Sequence, residues 1–144
     1  MADTVREKII QAIVGRCATL TTEPVNRCYR SEIESNAKFV SVWDGDDTAA
    51  ESKYGITDIR MPVGIEAIWV SADYTLASAE ANAMIGEIIA AITGTDTTLG
   101  GYAQDITVAQ SSPTYPETGS RATGVRVLFM VDYSYVTGDP YTLP

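Results

Sequence analysis

The sequence predicts an α+β fold, a mostly antiparallel β-sheet with two α-helices packed on one face. Three observations carry this expectation. Two segments repeat apolar residues at helical spacing, one near the start and one from about Thr75 to Thr93. Stretches with strand character are grouped between those helices and after the second, without strict β–α alternation. A chain of 144 residues, 45% hydrophobic and 20% charged, suits one domain over residues 1–144 with a core of its own.

The first helix opens on Thr4-x-x-Glu7, a capping box in which the Thr hydroxyl accepts from a free backbone N–H. Val5, Ile9, Ala12, Ile13 and Cys17 then form its apolar stripe. "TTEPV" ends it, because Pro24 cannot continue a helix and restricts Glu23. Short strands are expected at Val25–Arg30 and Lys38–Trp43, followed by "DGDDTAAESKYG" as a polar loop.

"ITDIRMPVGIEAIWV" resumes strand character. Pro62 and Gly64 inside it point to an edge strand, a bulge or a bend. In the second helix the stripe is Ala81, Met84, Ile85, Ile88 and Ile92, with Gly94 as the stop just past its end. "YAQDITVAQ" reads as a strand and "SSPTYPETGSRATG" as a flexible loop with two prolines. The last strand lies within "RVLFMVDYSYVTGDPY", and "GDPYTLP" is a tail.

That last strand poses a packing problem. Val125, Val127, Phe129, Val131, Tyr133 and Tyr135 make one face, which suits a core. The opposite face carries Arg126, Leu128, Met130, Asp132, Ser134 and Val136 and is half apolar as well. Ile68 and Val70 belong to a second face with equally little polar relief. Helices on one side of a sheet cannot cover the other, so Leu128, Met130, Ile68 and Val70 are candidate oligomer-interface residues against a neighbouring chain.

Composition excludes several function classes. Ten basic against nineteen acidic residues, a net charge of −9, fit nucleic-acid binding and anionic membranes poorly. No window approaches the ~20 apolar residues of a membrane span, and "MADTVREKIIQAIVG" has charges where a signal peptide needs its apolar stretch, so a cytosolic protein is expected. There is no histidine, which removes Ser-His-Asp and Cys-His arrangements and most zinc sites. Cys17 and Cys28 read as reduced, buried small hydrophobes, since a redox pair or zinc site needs other spacing or further ligands.

No catalytic set emerges, and no cofactor is implied. Asp44, Asp46 and Asp47 could offer oxygens to Ca²⁺ or Mg²⁺, or form a paired-carboxylate site for a metal-assisted hydrolase. The stretch lacks the spacing, central glycine and closing Glu of a calcium loop, and Asp-Gly suits a turn. "GTDTTLGG" lacks the Lys and the spacing of a phosphate-binding loop and reads as a connection after the helix. Trp43 and Trp69 are expected as core or interface anchors. Tyr133, Tyr135 and Tyr141 lack the basic companions that base stacking needs.

Taken together, "REKIIQAIVGRCATL", "RCYR", "AKFVSVWDGDD", "ANAMIGEIIAAI" with "LGG" after it, and the closing "RVLFMVDYSYVTGDPY" resemble the tail terminator (minor tail or tail completion) proteins of long-tailed bacteriophages and prophages. The resemblance runs over nearly the whole chain and rests on patterns of helix, strand and turn. It implies an α+β, non-enzymatic virion protein that forms a homo-oligomer, a hexameric ring at the head-proximal end of the tail. Such a ring stops polymerisation of the tail tube protein and presents a surface to a head-completion or connector protein. It also implies assembly in the host cytoplasm and genomic DNA passing through a channel without specific binding, which a −9 subunit would favour. A neck or head-completion protein, or a tail-tube-like subunit, is the alternative within the same class.

Overall fold

A computed structural model describes residues 2–29, 37–71, 73–115 and 122–144. Helix α1 spans Val5–Cys17, β1 Asn26–Arg27, β2 Phe39–Asp44, β3 Thr48–Lys53 and β4 Ile56–Val70. A 3-10 turn at Tyr74–Leu76 leads into α2, Ala77–Thr93, and β5, Asp105–Thr114, and β6, Ala122–Val136, complete the sheet. The order across the sheet is β1-β2-β4-β6-β5, with β3 also paired to β4. All pairings are antiparallel except the two-residue contact of β1 with β2. The α+β fold with both helices on one face is what the sequence predicts. Residues 116–121, within "SSPTYPETGSRATG", and Arg30, the last residue of the expected Val25–Arg30 strand, lie outside the described residues.

Helix α1 starts as its sequence dictates. Thr4 caps α1, its Oγ1 accepting from the Glu7 amide at 3.1 Å. The Val5 amide, another free donor of that first turn, gives to Pro140 O at 2.9 Å, so "GDPYTLP" is docked against α1 rather than a loose tail. Val5, Ile9, Ile13 and Cys17 are buried as the stripe predicts, and Ile10 joins them because α1 touches α2 as well as the sheet. In α2, Ala81, Met84, Ile88 and Ile92 are fully buried and Ile85 packs at the margin. Gly94 keeps helical geometry at φ −73°, and the α2 carbonyl end is closed by Arg16 instead. Its Nη1 donates to Ile92 O at 2.5 Å and Asp96 O at 2.6 Å, placing a cation at the negative end of the helix.

The core lies between the helices and one sheet face. Val125, Val127, Phe129, Val131 and Tyr133 of β6 are buried there, beside Ile59, Met61, Val63, Ile65, Ala67 and Trp69 of β4 and Val40 and Val42 of β2. Trp69 Nε1 donates to Glu80 Oε2 at 2.7 Å, so this buried indole keeps a partner on α2. Ser71 Oγ shares the same carboxylate oxygen at 3.2 Å and meets Thr123 Oγ1 at 2.6 Å, tying β4, α2 and β6 together.

Three strand expectations need correction. Pro62 and Gly64 lie in β4, a strand paired on both sides and along its whole length with β6. Proline is tolerated because Pro62 falls where β2 has ended and β3 has not begun. Gly45 N donates to Pro62 O at 2.8 Å, so the missing N–H of Pro62 faces that interruption and removes no ladder bond. "DGDDTAAESKYG" is not all loop, since Thr48–Lys53 forms β3, exposed at every residue and held to β4 with a bulge near Ala50. β5 likewise continues through Pro113 to Thr114, into the predicted loop, as an edge strand with a bulge at Ala109.

Candidate functional site

Opposite the core, neither α1 nor α2 lies over the sheet face, and its residues can be laid out from the strand register. One row across β2, β4, β6 and β5 is Phe39, Ile68, Gly124 and Thr114. The next is Ser41, Glu66, Arg126 and Ser112, then Trp43, Gly64, Leu128 and Gln110. Beyond these, Pro62 faces Met130 and then Arg60 faces Asp132. Successive rows are about 7 Å apart, two strand residues.

The four interface candidates therefore share this open face but not one patch. Leu128 and Met130 adjoin Trp43, Gly64 and Pro62, whereas Ile68 and Val70 lie across the Ser41–Glu66–Arg126 row. All four are half-buried. Arg126 softens the division. Its guanidinium lies over Gly64, where an added Cβ would stand 3.0 Å from Nε and 3.1 Å from Nη2. The polar margin is fixed by Arg60 Nε donating to Asp132 Oδ1 at 2.9 Å, and by Gln104 Nε2 donating at 2.6 Å to Ser134 Oγ, which donates to Asp58.

The acidic loop is organised differently from a metal site. Arg6 of α1 enters the interruption between β2 and β3, where Nη2 donates to Asp44 Oδ2 at 3.0 Å and to Gly45 O at 2.7 Å. Its Nη1 donates to Asp47 Oδ1, and Tyr133 Oη donates to Asp47 Oδ2 at 2.7 Å. Burial raises the Tyr133 phenol and Asp47 raises it further, keeping it a donor. Asp46 is exposed and apart from this network. Asp44 and Asp47 thus hold a guanidinium, and among the described residues no three His, Cys, Asp or Glu side chains converge as metal ligands would.

The "GTDTTLGG" connection folds around its own anion. Asp96 Oδ1 accepts from the Thr98 amide at 2.9 Å and the Thr98 hydroxyl at 2.6 Å, and Oδ2 accepts from Gly100 N at 2.9 Å. Amides that a phosphate would need are already occupied. Those bonds, the Thr98 hydroxyl first, hold the Asp96 carboxyl down at about 2.

Of the cysteines, Cys17 is buried and burial pushes its thiol up to about 12. Cys28 is exposed, against expectation, because β1 stops at Arg27 and Cys28 turns out of the sheet at φ 57°. Its Sγ lies 3.1 Å from Asp44 Oδ1, and that hydrogen bond raises its pKa. Trp69 is a core residue, while Trp43 lies half-buried on the face opposite the core. Tyr133 is buried, Tyr135 packs against the core and Tyr141 is exposed. No single residue signalled the Arg126–Gly64 contact or the Arg6 network in the sequence, since their partners are far apart along the chain.

No protein-family model and no curated protein matches this chain. Among the described residues no helix is long and apolar enough to cross a membrane.

Proposed function

We propose that this chain is a non-catalytic structural subunit of a long-tailed phage tail. It forms a ring that caps the head-proximal end of the tail tube, stops tube polymerisation and offers an attachment surface for the head. The observation that carries this reading is the asymmetry of the sheet. Both helices lie on one face, and the other presents Leu128, Met130, Ile68 and Val70 in rows with Trp43, Pro62 and Phe39 between polar margins. A half-apolar face of this kind suits contact with another protein chain. The sequence resemblance to tail terminators supplies the identity of the assembly, and a subunit charge of −9 suits a channel that DNA crosses without adhering. Engagement of Asp44 and Asp47 by Arg6 speaks against the metal-assisted hydrolase.

Native mass spectrometry of the purified protein tests the reading. A closed species of defined stoichiometry, expected as a hexamer, supports it. Open-ended growth into tubes would favour a tail-tube-like subunit, and a strict monomer at every concentration would overturn ring formation altogether.

A further inference from the structure

Two strands at the margins of the sheet have little of their own chain to pack against. β3 is exposed at every residue, and β5 at every residue but Ile106. Among the described residues, no further strand pairs with the outer edge of either. The bulge at Ala109 and Pro113 blunt the later half of the β5 edge. Residues 105–108 remain a regular edge with Asp105 as their one charge.

The register tells which backbone groups point outward. In an antiparallel sheet the N–H and C=O of one residue point to the same side, and successive residues alternate. Pro62 turns its carbonyl to Gly45, so its partner Met130 turns its N–H and C=O toward β5. Met130 and Asp132 therefore meet inward-pointing Thr107 and Asp105, and Ile106 and Val108 point out of the sheet. The same count turns Pro113 outward, where its missing N–H removes no ladder bond. On β3, Lys53 and Glu51 point toward β4 and Ser52 points out.

We propose that the outer edge of β5 in one copy pairs with the outer edge of β3 in the next, Ile106 against Ser52. Three antiparallel pairings separate β3 from β5, so the two run in opposite directions within one copy. A second copy set edge to edge in the same orientation therefore continues an antiparallel sheet. Ile106 and Ser52 both point outward and can exchange N–H···O=C bonds. This register sets Ala50 opposite Val108 and Lys53 directly opposite Asp105.

Charge selects that register. Asp105 and Asp132 are neighbours in one row, on the face opposite the core. Arg60 neutralises Asp132 at 2.9 Å, and among the described residues no ion pair reaches Asp105. Lys53 lies on the same face, because its partner Ile56 is four residues from Arg60 along β4. Its pair with Glu51, at 3.7 Å between exposed side chains, is a weak tie, and an ammonium has three donors. β5 paired with itself would leave both Asp105 carboxylates without a cation. The contact joins two different surfaces, so it repeats head to tail; it rests on the ring-forming reading above and names a contact for it.

Charge reversal and cross-linking test the pairing. Lys53→Asp and Asp105→Lys should each keep Tm and raise the association midpoint in sedimentation velocity about fivefold. The double swap should return it to within about twofold of the wild type. Residues facing each other without mutual backbone bonds stand about 4.5 Å apart at Cα, which suits a disulfide. In a Cys28→Ser background, Lys53→Cys with Asp105→Cys should therefore oxidise into covalent oligomers, and neither single cysteine should. A wild type that associates while the double cysteine variant stays uncross-linked would overturn the pairing and leave the ring proposal standing. So would a double swap no better than its singles, or cross-linking by Lys53→Cys alone, which means β3 against β3. A wild type that never associates would overturn the ring reading, and the pairing with it.

Discussion

Arg6 and Asp44 are paired at 3.0 Å across the one interruption in the long β2–β3 arm that runs along β4. The same guanidinium takes Gly45 O and Asp47, so the first turn of α1 is fastened to the break between β2 and β3, opposite Pro62. Burial alone would lower the Arg6 pKa, but Asp47 and Asp44 together raise it. Both partners are under one third exposed, which sets this network apart from surface ion pairs.

Arg6→Met, which keeps the aliphatic stem and removes the charge, is expected to cost about 1–3 kcal/mol of unfolding free energy. Asp44, Asp47 and Gly45 O all lose a donor at once. Arg60→Met is the control, because Arg60 pairs with Asp132 from a side chain that is 57% exposed, and it should cost much less. Urea denaturation of both variants measures the difference. Equal losses would mean that the strand break is not held by Arg6.

The two thiols should separate cleanly. Cys28 is exposed and Cys17 has no access to solvent, so a thiol reagent should modify one cysteine in the native protein and the second only on unfolding. The hydrogen bond to Asp44 raises the Cys28 pKa, which slows the native reaction relative to a free exposed thiol. Asp44→Asn removes the negative charge and should speed labelling of Cys28 at neutral pH. Slow modification of both thiols in the wild type would contradict the left-handed exit at Cys28.

The core face was legible in the sequence because alternation survives every tertiary detail, as Val125 to Tyr133 demonstrate. β3 was not, because Thr48–Lys53 has no buried face and therefore no apolar pattern to read. Pro62 argued against a strand paired on both sides, and only the gap between β2 and β3, a long-range arrangement, removes its penalty. The acidic loop offered three carboxylates but not their partner, since Arg6 lies 38 residues before Asp44. Alternation places the candidate interface residues on the sheet face opposite the core, as the structure does. Their division by the Glu66–Arg126 row required the register between strands.

Acid should loosen the connection after α2. Asp96 is held at about 2 by hydrogen bonds from Thr98 and Gly100, below the ~3.9 of an unfolded aspartate. A depressed carboxyl adds stability that is complete above its unfolded pKa and is lost as pH falls through the folded one, so the window runs from about pH 4 down to pH 2. Asp96→Asn keeps one acceptor for Thr98 but cannot accept from Gly100 N. Its stability curve should be flatter across that window, and carboxyl NMR titration should find Asp96 the more acidic group in the wild type. An Asp96 midpoint near 4 would remove the argument.

Met130 offers the most direct test of the open face. It is half-buried in β6, opposite Pro62, with Leu128 two residues before it and Asp132 two after. The core side chains Phe129 and Val131 point the other way and are untouched by a change at 130. Met130→Glu sets a carboxylate among apolar neighbours, and the nearest cation in the next row, Arg60, is already engaged by Asp132 at 2.9 Å. If this face lies against a neighbouring chain, the buried charge costs about 3 kcal/mol or more at each contact, repeated at every interface of a ring. The isolated subunit leaves the same position partly open to water and should keep its circular dichroism spectrum and, within about 1 kcal/mol, its unfolding free energy. Ultracentrifugation should then find a folded monomer where the wild type assembles. Assembly that survives Met130→Glu would take this residue out of the interface, and an unfolded subunit would mean that Met130 serves the core.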